Sequence, residues 1–232
     1  MSSYRSYAEQ AGHYFGRDHH EAAPRPIAGP SAWAGAELRN HTTWRVQLSA
    51  AEAEAWGFVN RVVADTGAEG AWGRLERGLL DLDRFVPAFE ADCRAAGREI
   101  DAREMMERMA VASQPRPRML EAIRRIRGAG LIAAALTNNW ASEERDDGTR
   151  ALRDHFDAFF ESSVLGLQKP DPRIYQHACE TLGIEPVEAV FLDDIGRNLK
   201  TARGLGMTTL KVDDPDRALS ELEELLGIAL RA

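Results

Sequence analysis

The sequence predicts an α/β protein: a parallel β-sheet with helices on both faces, joined to a small helical module and preceded by an irregular N-terminal arm. Three observations carry that expectation. Short apolar runs without polar alternation, LIAAAL at 131–136 and AVFL at 189–192, mark strands covered on both sides. Amphipathic helical stretches alternate with such runs through the C-terminal half, and a strand, helix, strand, helix rhythm implies parallel pairing. Between Asp81 and Val111, in contrast, apolar residues recur only at helical spacing.

With 232 residues and 44% hydrophobic content, the chain can bury a full-sized core with a smaller module appended. A formal net charge of −8 argues against nucleic-acid or anionic-membrane partners, because neutralising phosphates takes a clustered positive field. Small molecules or other proteins are the expected partners, and a homo-oligomer is left open. Cys93 and Cys179 lie far apart in helix-like apolar patterns, so both read as core residues in a reducing compartment. No apolar run reaches the length of a membrane span, and the start of the chain lacks the apolar core of a signal peptide. A cytoplasmic location is expected.

Residues 1–57 read as an irregular region of unclear origin. Met1 to about Asn40 is rich in Gly, Pro, Ala and His, with Pro24, Pro26 and Pro30 close together. His13, His19 and His20 lack carboxylate or Cys partners at metal-ligand spacing and read as solvated. TTWRVQL (42–48) alternates like a half-exposed strand, and Leu48 to Trp56 looks like a short Ala-rich helix. Residues 58–113 read as a helical cap-like module: Phe85, Phe89 and Cys93 lie one turn apart, and Met105, Met106 and Met109 form a second stripe. Residues 114–232 read as a Rossmann-like core. Pro115 and Pro117 break the chain, and Met119, Leu120, Ile123 and Ile126 mark a helix that stops at Gly128 and Gly130. LIAAAL then opens the sheet. A strand at Phe159 and Phe160, a helix through Ile174, Ala178 and Leu182, and the AVFL strand follow. A helix from Asn198 to Leu205, the strand TTLKV (208–212) and a closing helix from Leu219 to Leu226 complete the series.

In such sheets chemistry gathers at the carboxyl ends of the strands, where three polar sites fall. Thr137 follows LIAAAL; with Asn138 and Asn139 it also fits a helix N-cap cluster. Lys169 lies in GLQKPDP, where Asp171 suits a helix cap and Pro172 a first turn, choices that explain Asp and Pro but not Lys. Asp193 and Asp194 end the AVFL strand. Adjacent carboxylates there repel each other and call for a cation, which Mg²⁺ would supply; the other reading has one capping the next helix and the other solvated.

Together LTNNW, GLQKPDPRIY and VFLDDIGRNLKTARGLGM resemble, in order, the second, third and fourth motifs of the haloacid dehalogenase superfamily. WGRLERG and FVPAFEADC resemble the cap of the branch that includes the N-terminal phosphatase domain of soluble epoxide hydrolase, and the likeness runs from Ala71 to Gly227. The resemblance implies Mg²⁺-dependent hydrolysis of a small phosphorylated metabolite. Thr137 would hydrogen-bond the phosphoryl group, Lys169 would neutralise it, Asp193 would orient the site, Asp194 would hold the ion and Asn138 would touch substrate.

The first motif of that family is an apolar strand ending in Asp-x-Asp, whose first Asp attacks phosphorus. No such run precedes the helical module. Asp65 in FVNRVVADTG and Asp81 and Asp83 in LLDLD are the candidates for a displaced nucleophile, with Asp81 better suited to capping a helix. The family places this first strand centrally, between LIAAAL and AVFL. TTWRVQL and FVNRVV are the two stretches that could fill its place. Two functions follow: a phosphomonoester hydrolase, or a catalytically inactive phosphate- or metal-binding regulatory protein. Halide displacement needs no metal and suits the Asp193-Asp194 pair less well.

Overall fold

The computed structural model describes residues 33–36, 50–112, 116–140 and 152–231. Its sheet has five parallel strands in the order β3-β2-β1-β4-β5. These are β1 (Trp33–Ala36), β2 (Ala133–Thr137), β3 (Ala158–Glu161), β4 (Ala189–Asp193) and β5 (Thr208–Lys211). The four runs read as strands in the C-terminal part are all present. The central strand is a correction.

Trp33–Ala36 lies inside the stretch expected to be irregular, yet it fills the gap between LIAAAL and AVFL. Ala34 and Gly35 pair with Ala133 and Ala134 on one side, and Trp33 to Ala36 pair with Ala189 to Leu192 on the other. A segment with two alanines, a glycine and only Trp33 of a strand-favouring type has little strand propensity of its own; two flanking strands with open edges supply the reason for it to extend. FVNRVV is the second correction. It belongs to helix α1 (Ala50–Thr66), where Phe58, Val59 and Val62 fall on one buried face at helical spacing. That helix is also longer than the one expected from Leu48 to Trp56. TTWRVQL and the three N-terminal histidines lie outside the described residues.

Side chains alternate off the strands into two cores. Ala134, Leu136 and Phe191 face α7 (Pro172–Leu182) and α8 (Gly196–Gly204) through Ile174, Tyr175, Ala178, Leu199 and Ala202. Ala133, Ala135, Val190 and Leu192 face α5 (Pro117–Gly128) and α9 (Pro215–Leu226) through Met119, Ile123, Ile126, Leu219 and Leu222. A short helix, α6 (Ser162–Leu165), follows β3.

The third core belongs to the helical module, built from α1, α2 (Ala71–Glu76), α3 (Leu82–Ala95) and α4 (Ala102–Ala112). Trp72, Leu75, Phe85, Phe89, Cys93 and Met105 are buried together, and Trp140 from the loop after β2 joins them, 6.0 Å from Trp72 between ring centroids. The module also touches the sheet's side at Gly78 (φ +70°), where a Cβ would meet the Ser163 carbonyl oxygen at 2.4 Å. Burial pushes the Cys93 and Cys179 thiols up to about 11, as inert core residues. Among the described residues no helix is long and apolar enough to cross a membrane.

A central β1 makes a direct prediction. Ala34→Pro removes a ladder donor flanked on both edges and should lower unfolding free energy by about 2–5 kcal/mol in urea titrations. An unchanged midpoint would mean that this segment is not an interior strand.

Candidate active site

Lys169 is the hub of the site, reached by the loop between α6 and α7. Asp171 accepts from Arg173 N at 3.0 Å and caps α7, with Pro172 in its first turn as expected, and the Lys169–Pro170 peptide is cis. The lysine side chain is 0% exposed. Its Nζ donates to Leu136 O at 2.7 Å and to Asp193 Oδ2 at 3.0 Å, and sits 5.6 Å from the Phe191 ring centroid. One ammonium therefore ties the ends of β2 and β4 together across β1.

Asp193 is fully engaged. Its Oδ1 accepts from Ile195 N at 2.7 Å, and Asn198 Nδ2 donates to both oxygens at 3.2 and 3.1 Å. The cation that the aspartate pair calls for is, for Asp193, Lys169, so a divalent ion is not required to hold that charge. Asp193 also satisfies the amide of the turn that leads into α8, so the capping reading holds for it in part. Asp194 is buried at 9% exposure, which corrects the reading that leaves one aspartate solvated.

Asn138 works as a clamp. Lys169 N donates to its Oδ1 at 2.8 Å, while its Nδ2 donates to Lys169 O at 3.0 Å and to Glu76 Oε2 at 3.3 Å. Asn139 fastens the same loop to α6: its backbone N–H donates to Ser162 Oγ at 2.9 Å, and Ser163 Oγ donates to its Oδ1 at 3.0 Å. Thr137, at the last position of β2, is 7% exposed. Thr137, Asn138, Lys169, Asp193 and Asp194 thus meet at the carboxyl ends of β2 and β4, the crevice where the strand order reverses around β1.

Two participants were not found from the sequence. Asn198 follows Asp193 by five residues, which brings it back under the strand end from the first turn of α8. Glu76 comes from the helical module, and no spacing rule links it to Asn138, 62 residues away. Burial raises the Glu76 carboxyl above the usual range, against opposing hydrogen bonds from Trp72 and Asn138 and the nearby charges of Lys169 and Arg197.

The displaced-nucleophile candidates lie on the module's surface. Asp65 is exposed on α1; Asp81 is exposed and caps α3 by accepting from Arg84 N at 2.8 Å; Asp83 pairs with Arg103 at 3.3 Å with 90% of its side chain exposed. None of the three is seen in contact with the Lys169 cluster. Among the described residues no group of three His, Cys, Asp or Glu side chains is arranged to hold a metal ion, so they form no complete Mg²⁺ cage.

The fold and this cluster agree with the comparison to known families, in which the model for haloacid dehalogenase-like hydrolases matches residues 6–206. The chain belongs to this hydrolase family. The match begins upstream of Ala71, where the motif resemblance starts, and takes in β1. The bifunctional epoxide hydrolase 2 of Sus scrofa is 36% identical over 187 residues, covering 75% of this chain and 34% of that protein. This chain therefore spans about a third of that relative's length. The sesquiterpene phosphatase astK of Aspergillus oryzae is 28% identical over 159 residues, covering 67% of this chain and 79% of that protein. Among solved structures, a dehalogenase aligns with a TM-score of 0.58 at 20% identity, over 87% of this chain and 98% of its own. A haloacid dehalogenase family enzyme of Bacteroides thetaiotaomicron, in complex with magnesium and inorganic phosphate, aligns with a TM-score of 0.55 at 20% identity, over 82% and 98%. Both share the fold of this hydrolase.

Two outcomes follow from the buried charges. Lys169→Met leaves Asp193 buried without its cation and should cost about 3–5 kcal/mol, whereas Lys169→Met with Asp193→Leu should recover most of that loss, as read by chemical denaturation. Glu76 should make stability fall with rising pH between 4.5, its unperturbed value, and its higher folded value, since the folded state there holds the extra proton. Glu76→Gln should therefore match the parent below that window and exceed it above, and parallel pH–denaturation curves would contradict this.

Proposed function

We propose that this hydrolase-family chain recognises the phosphoryl group of a small phosphorylated metabolite at the β2–β4 crevice, and that its turnover through an aspartyl phosphate is lost or greatly slowed. The observation that carries this is the central strand itself: Trp33–Ala36 stands where the family's first motif belongs, and the sequence continues Glu37, Leu38, Arg39, Asn40 with no aspartate. Phosphatase relatives support phosphate as the substrate class. The place of Thr137 at the end of β2, with the Lys169 ammonium on the carbonyl of Leu136 beside it, supports the same pocket.

In this reading the Thr137 hydroxyl donates to a phosphoryl oxygen and the Lys169 ammonium neutralises the developing charge, with Asp193 and Asn138 fixing where that ammonium sits. Asp194, waters and the phosphate oxygens would together hold Mg²⁺, which when bound adds charge neutralisation at the phosphoryl group. Without a carboxylate nucleophile, water must attack directly and the advantage of a preplaced attacking group is forfeited. Residues 114–232 supply the pocket, the module at 58–113 covers it and the region 1–57 contributes the central strand. Two inert, unpaired thiols suit a reducing, cytoplasmic setting. The second reading, a regulatory binder with no turnover, uses the same pocket.

Calorimetry with inorganic phosphate and Mg²⁺ should detect binding that Lys169→Met weakens by about tenfold or more. Mg²⁺-dependent phosphate release from p-nitrophenyl phosphate should stay near background. Absence of phosphate binding would remove the recognition half of the reading. Robust turnover that collapses in Glu37→Gln, or in Asp65→Asn, Asp81→Asn or Asp83→Asn, would identify another carboxylate as nucleophile and remove the other half.

A further inference from the structure

Glu76 is the last residue of α2 and one of the few charged side chains buried among the described residues. Its neighbour Leu75 is 0% exposed inside the module's aromatic core, so α2 holds position 76 rigidly. A leucine at position 76 would pack there with no charge to desolvate, and burying a carboxylate instead works against stability. Stability alone does not explain this residue.

Its contact does. Glu76 Oε2 accepts one N–H of Asn138 Nδ2, and the other N–H of that amide, together with Oδ1, grips both backbone polar groups of Lys169. An asparagine amide can rotate to exchange its oxygen and nitrogen, but rotation would set Oδ1 against the Glu76 carboxylate and against Lys169 O, two acceptors. The carboxylate thereby reinforces the orientation, set also by the Lys169 N–H and carbonyl, in which Asn138 holds Lys169. The contact runs from the helical module to the sheet, and one residue further along, the Lys169 ammonium meets Asp193.

We propose that Glu76 is a positioning residue through which the helical module sets the backbone of Lys169, and so the ammonium that faces phosphate. The phosphate part of this rests on the reading given under Proposed function; the positional part does not. Seating the module and forming the anion site are then one event, because the third hydrogen bond of Asn138 exists only when α2 is docked.

The experiment compares the full chain with Glu76→Leu, which keeps the volume and loses the acceptor, and Glu76→Gln, which keeps an acceptor. Hydrogen exchange of the Lys169 amide, followed by ¹H–¹⁵N spectra, should accelerate about tenfold in the Leu variant and stay within about threefold of the parent in the Gln variant. Affinity for inorganic phosphate should follow the same order. Exchange at Lys169 within about twofold of the parent in Glu76→Leu, or equal acceleration in Glu76→Gln, would overturn the proposal. Glu76→Met replaces the Leu variant should that fail to fold; failure of both would overturn positioning in favour of a structural role. A parent that binds no phosphate defeats the functional reading, while the exchange data still decide the role of Glu76.

Discussion

The buried pair between Lys169 and Asp193 is the constraint around which the site is organised. An ammonium with no exposed surface stays charged only where anions and carbonyls replace water, and here those groups come from the ends of two different strands: Leu136 O from β2 and Asp193 from β4. The geometry is then demanding. β2 and β4 must lie one strand apart and in register, so the identity of whatever separates them matters more than its composition. Asn198 Nδ2 and the Ile195 amide complete the shell of Asp193, and Asn138 fixes the lysine backbone.

That demand explains the part played by Trp33–Ala36. Four residues with little intrinsic tendency to extend become the middle of a five-stranded sheet, paired on both edges, because the alternative is two rows of unsatisfied backbone groups inside the core. Structural continuity and chemical competence place separate demands on this strand. The sheet is completed by backbone, which any short segment without proline can provide, while the family's covalent chemistry needs a particular side chain at the strand's end. In this hydrolase the first is present, and the residues Glu37 to Asn40 include no aspartate for the second.

The helical module enters the site by a different route from the strands. Its aromatic core, from Trp72 to Phe89, reaches the sheet through Trp140, and Glu76 reaches it through Asn138. Two stretches distant in the chain and adjacent in space, the end of α2 and the loop after β2, therefore carry both an apolar and a polar link between the module and the crevice. The apolar link sets how deeply the module sits. The polar link senses whether it is seated.

The sequence by itself determined the periodic part of this protein. Apolar runs such as AVFL can be satisfied only between two helical layers, caps at Asp81 and Asp171 are local chemistry, and Thr137 and Asp193 fall at strand ends once the strands are known. Tertiary structure decided the rest. No local rule makes WAGA a strand or FVNRVV a helix face instead of one, since pairing partners for the former and the buried side of α1 for the latter come from distant residues. The neutralisation of Asp193 by Lys169 and the reach of Glu76 to Asn138 are likewise contacts across 24 and 62 positions. Spacing along a chain encodes what hydrogen bonds and apolar faces do within one element; which charges meet in the interior is fixed only when the elements pack.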